Sequence, residues 1–91
     1  MGKTIEEIAS TTPQAMLLDA IRSSGKTLTE ISVTAGWHLQ NVSSLLHGRS
    51  NVTAKIAFLL EKAVGPEYLN GEELFLCRCI HDYRKLKERN S

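Results

Sequence analysis

Thr27-Leu28-Thr29-Glu30, followed by Gly36, is the feature that most narrows what this chain can form. A Thr hydroxyl that accepts from the amide three residues on, with a Glu there reaching back, starts a helix; a glycine that tolerates positive φ stops one. The eight residues between them make a helix too short to stand alone, so Leu28, Ile31 and Ala35 must be held by neighbours. The same punctuation recurs on both sides. Thr12-Pro13 reads as an N-cap and first helical residue, Met16, Leu17, Ala20 and Ile21 follow at helical spacing, and Gly25 closes the segment. Thr53 opens another helix with Ile56, Ala57, Leu60, Ala63 and Val64 inward, and Gly65-Pro66 ends it. Strand alternation is found almost nowhere, so the expected fold is all-α.

Composition agrees with packed helices. A chain of 91 residues supports one modest core, and with 42% apolar but only 5% aromatic residues that core must be mostly Leu, Ile, Val and Ala. The start, "MGKTIEEIAS", lacks the apolar run of a signal peptide, and nowhere do about 18 apolar residues follow one another, so a soluble, cytoplasmic protein without a membrane partner is expected. Cys77 and Cys79 stand too close for an easy bridge, which points to reduced thiols.

After Gly36 comes "GWHLQNVSSLLHGRS". Leu39, Val42, Leu45 and Leu46 make its apolar stripe, with Leu39 assigned to core packing and Trp37 to plugging the turn. The other face carries Gln40, Asn41, Ser43, Ser44 and His47, short polar groups that suit close approach to something rather than the long Lys and Glu of a solvated face. A helix, a tight glycine turn and a second helix with a small polar face form the helix-turn-helix arrangement, whose second helix enters the major groove of double-stranded DNA. Gln40 and Asn41 suit bidentate pairing with adenine, and Ser43 and Ser44 can donate and accept on base edges. Arg49 and Lys55, with the amides of the Gly48 loop and of the helix start at Thr53, are the expected phosphate contacts, joined by His38 and His47 when protonated.

The last helix is expected from about Gly71 to Glu88. Phe75, Leu76, Cys79, Ile80, Tyr83 and Leu86 share one side, assigned to the core, with Arg78, His81, Lys85 and Glu88 opposite. Leu74 and Cys77 fall off that stripe and are the candidate seam of a two-fold homodimer, whose operator would contain inverted half-sites about 34 Å apart. Between Pro66 and Cys77 there are three acids and no base; from Arg78 onward five bases stand against two acids, a swing that complementing the helix macrodipole can produce by itself. The layout is then a 1–11 extension, in which Thr4 to Ile8 form a turn compatible with a helix, a 12–65 DNA-binding core and a 66–91 C-terminal helix. Cys77-x-Cys79-x-His81 offers three ligand types, but helical residues two apart point away from each other, so neither a metal nor another cofactor is expected. The histidines have no nucleophile motif, paired carboxylates or phosphate loop beside them, so no enzyme is expected either. A net charge of only +1 leaves a non-DNA interaction module as the rival reading.

From Thr12 to Val64 the chain resembles the five-helix DNA-binding domain of the lambda-repressor and Cro type, the XRE family, with Ile31, Gly36, Val42 and Leu45 at the motif's apolar and turn positions. The runs "TPQAML", "LLHGRSNVTAKIAFLLEKAVG" and "FLCRCIHDYRKLKER" look more specifically like HigA-type antitoxins. That resemblance implies a repressor that binds its own promoter as a dimer and neutralises a small basic toxin that cleaves messenger RNA on the ribosome. Glu6, Glu7 and Asp19 are the acids that would meet such a toxin. A stand-alone phage-type or chromosomal repressor without a toxin is the alternative.

Overall fold

The computed structural model describes residues 3–90; Met1, Gly2 and Ser91, which fall in the expected 1–11 and 66–91 segments, lie outside the described residues. Six α-helices form among the described residues: α1 (Ile5–Ala9), α2 (Pro13–Ser24), α3 (Leu28–Ala35), α4 (Leu39–Leu46), α5 (Ala54–Val64) and α6 (Gly71–Arg89). Their starts follow local chemistry. Thr4, Thr12, Thr27, Thr53 and Asn70 each accept, through the side chain, the amide of the third helical residue, and α1 and α3 add the reciprocal Glu of a capping box. Only α4 begins without such a bond, at His38.

The core lies around α5, which packs on α2, α3 and α6, while α2 also meets α4 and α6. Leu17, Ile31, Val42, Leu60, Val64, Leu69 and Leu74 are among its fully enclosed aliphatics. Two polar contacts lock α5 in place. Lys26 donates through Nζ to the carbonyls of Ala63 and Val64, 3.1 Å each, so a base between α2 and α3 closes the C-terminal end of α5. At the start of α6 the Gly71 amide donates to Glu61 Oε1 at 2.8 Å, and a Cβ on Gly71 would come within 2.9 Å of the Ala57 carbonyl oxygen. α6 can cross α5 this closely only through a glycine.

Two expectations about the helical layout are corrected by the structure. Six helices replace the expected five, because Thr4 to Ala9 form a capped turn of helix whose Ile8 is buried against α6. The buried face of α6 is also the opposite of the one expected. Leu74 and Cys77, the candidate dimer seam, are fully enclosed within the chain, whereas Leu76, Tyr83 and Leu86, assigned to the core, stand exposed. α1 and α2 both cover α6, and that cover supplies acceptors to its polar groups as well as apolar surface. The Cys77 thiol lies 3.4 Å from the carbonyls of both Ile8 and Thr11, and His81 Nε2 is 2.6 Å from the Thr11 oxygen. A thiol and an imidazole with partners can sit under another helix. Leu74 and Cys77 therefore serve the chain's own core and leave no surface for a second copy.

Among the described residues no helix is long and apolar enough to cross a membrane.

Candidate nucleic-acid interface

The turn between α3 and α4 fixes the surface under consideration. Gly36 caps α3 at φ 73°, in the left-handed region, and its hypothetical Cβ would meet nothing within 4 Å, so backbone conformation alone demands glycine here. The Trp37 amide closes onto the Ser32 carbonyl at 2.9 Å, and the half-buried indole packs against the core. His38 then takes an extended conformation with its imidazole exposed, and α4 begins at Leu39.

On α4, Val42 and Leu45 point into the core. Gln40, Ser43, Ser44 and His47 recur at the spacing of one ridge on the opposite face, Gln40 and His47 exposed and the two serines half-buried. His47 Nδ1 lies 2.8 Å from the Ser43 carbonyl and 3.3 Å from the Ser43 hydroxyl. A carbonyl only accepts, so His47 Nδ1 carries a proton in this contact, which ties the ring back onto its own helix. Asn41 lies apart from this ridge. It lines a groove of about 430 Å³ with Trp37, Ser50, Thr53 and Lys55, between α4 and the start of α5.

Arg49 is exposed just past the end of α4, and Lys55 is exposed in the first turn of α5. The amides of the Gly48 loop, expected to join them on phosphate, are already committed: Gly48 N–H donates to Leu45 and Arg49 N–H to Ser44, at 3.2 and 2.9 Å. They close α4 instead. The expected placement of Leu39 in the core is also corrected. At 47% exposure it stands on the surface beside Gln40, because it is the first residue of α4 and no preceding turn covers it. That first-turn position was the available signal for its exposure.

Charge sorts along the chain in the same sense. No acid occurs between Glu30 and Glu61, an interval that contains α4, Arg49, Lys55, His38 and His47. The acids named above stand elsewhere. Glu7 and Asp19 line a shallow depression with Lys3, Met16 and Tyr68, while the Glu6 carboxylate is taken by Arg84 at 3.0 Å. Among the described residues no three His, Cys, Asp or Glu side chains gather where a metal could be held. Neither family models, nor curated proteins, nor solved structures give any match to this chain.

Proposed function

We propose that this chain is a sequence-specific DNA-binding repressor of helix-turn-helix type, with α3 and α4 as the motif and α4 as the helix that enters the major groove. The observation that carries this reading is the ridge of Gln40, Ser43, Ser44 and His47, free of charged side chains, in an acid-free interval flanked by Arg49 and Lys55. Gln40 and Ser44 meet base edges, Leu39 meets a thymine methyl, and His38, Arg49 and Lys55 hold the phosphates on either side. Asn41, in the groove beside Lys55, serves the flanking strand. Because one short helix reads few base pairs, the active form is a homodimer on inverted half-sites.

The resemblance to HigA-type antitoxins extends this proposal to a toxin-antitoxin pair, in which the chain also neutralises a small basic ribonuclease toxin. Support on the surface itself is the depression containing Glu7 and Asp19, which shares no residue with α4 or α5. The competing reading is a protein-interaction module without DNA affinity, favoured by the apolar residues exposed along α6.

Selection of bound duplexes from a random pool, followed by anisotropy titration of the enriched sequence, tests the DNA reading. The wild-type chain is expected to enrich an inverted repeat, and Gln40→Ala with Ser44→Ala to erase discrimination between that repeat and scrambled DNA while the fold persists. Absence of enrichment, or full specificity in the double variant, rejects α4 as the reader. For the toxin, co-expression with the adjacent small gene is expected to restore growth that the gene alone arrests; no arrest, or arrest that this chain leaves unrelieved, reduces the proposal to a stand-alone repressor.

A further inference from the structure

α6 carries a second apolar stripe that faces away from the other described helices. Leu76, Tyr83 and Leu86 are 42%, 63% and 55% exposed, and half-buried Cys79 and Ile80 fall between them. Spaced by three or four residues, they form a continuous seam about 15 Å long at the helical rise. Its two ends are oppositely charged. Glu72 stands at the N-terminal end, beside Phe75, and makes no hydrogen bond or ion pair among the described residues. Lys87 stands at the C-terminal end, its ammonium 5.8 Å from the ring centroid of Tyr83 and so against the stripe. Around these two, Glu73 is paired with Lys3 at 3.5 Å and Arg84 with Glu6 at 3.0 Å, while Lys85 and Arg89 stand against Glu88 at the C-terminal end. A helix that is acidic at one end, basic at the other and apolar between is complementary to itself end for end. A parallel copy would set like charge against like.

We propose that the outer stripe of α6 is the seam of a two-fold homodimer in which two α6 helices pack antiparallel, Glu72 of each chain against Lys87 of the other and Leu76 against Tyr83. Because the interface is isologous, each contact occurs twice. The axis passes close to Cys79 and Ile80, which brings the two Cys79 thiols near each other while both Cys77 thiols stay enclosed. Leu86 of the second copy lies level with Glu73, beside the groove that Phe58 and Phe75 wall between α5 and α6. This seam deepens the homodimer in the proposed function and rests on that two-fold, though not on any DNA or toxin contact.

Sedimentation equilibrium over a concentration series, on wild type, Glu72→Lys, Lys87→Glu and an equimolar mixture of the two variants, is the test. Each variant alone sets lysine against lysine or glutamate against glutamate twice, and is expected to dimerise about tenfold more weakly than wild type. The mixture restores both pairs in the heterodimer and is expected to return to near wild-type affinity. Any intrachain cost of either charge reversal is still present in the mixture, so recovery reads the seam and not the fold. Mild oxidation is expected to link wild type and Cys77→Ser into covalent dimers, but not Cys79→Ser. A monomeric wild type, variants that dimerise unchanged, a mixture no better than its components, or linkage through Cys77 overturns the proposal. DNA affinity, read separately by anisotropy, decides the repressor reading whichever way the seam resolves.

Discussion

Cys77 and Cys79 stand two residues apart and have different surroundings. Burial pushes the Cys77 thiol above its ordinary pKa and encloses it under α1, while Cys79 is half-exposed on the outer stripe. Since the thiolate is the nucleophile, iodoacetamide at neutral pH is expected to add once to dilute native protein, at Cys79, and to reach Cys77 only in denaturant. Peptide mapping that found Cys77 modified first would contradict the placement of α1. A raised thiol pKa stabilises the fold below its ordinary value, and that contribution is lost as pH rises through the raised one. Arg49 and Gln40 form a second contrast at this scale. Arg49→Ala is expected to weaken binding to specific and random duplexes alike and to reduce the salt slope by about one counterion, because a phosphate contact releases ions without reading bases. A loss confined to the enriched sequence would move Arg49 to the base edges.

The first turn of α3 shows how far one element is decided by its own residues. The Thr27 backbone amide and then its hydroxyl hold the Glu30 carboxylate below its ordinary pKa, with a smaller contribution from the charge of Lys26. Glu30 is lowered in the fold, so its contribution is present above the unfolded value and is lost as pH falls through the folded one. The thermal midpoint of wild type is therefore expected to exceed that of Glu30→Gln at neutral pH, with the gap closing in acid; a constant gap would show that charge has no part in the cap. Thr27→Ala is expected to cost about 1 kcal/mol in denaturant unfolding, and Gly71→Ala about 1–3 kcal/mol, because its methyl group must displace the Ala57 carbonyl. The caps of α2, α3 and α5 were legible in the sequence because each lies within four residues of the bonds it makes. The buried side of α6 was not. Both of its stripes are apolar enough to pack, and the choice is made by Ile8 and Thr11, which meet Cys77 from more than sixty positions away. On α4 the ridge residues were legible from spacing, but the amides that close the helix at Gly48 and the surface position of Leu39 depend on where the helix ends fall.

For the molecule as a whole, α1 and α6 join the two ends of the chain. Ile8 burial, the Cys77 and His81 contacts and the Glu6–Arg84 pair all cross this junction. A chain beginning at Thr11 is expected to lose about 2 kcal/mol, nearly all of it from Ile8 because an exposed ion pair contributes about 0–1 kcal/mol. The same truncation is expected to open Cys77 to alkylation; unchanged stability and a protected thiol would show that α1 is dispensable. The order of synthesis gives this closure a further meaning. α1 leaves the ribosome first and finds its binding surface last, since Cys77, His81 and Arg84 emerge only after about seventy further residues have been added. During translation at about 5–20 residues per second, Ile8 is without its cover for several seconds. Docking of α1 thus waits on α6, and the burial of Ile8 is the step that ties the earliest-made helix to the latest-made one.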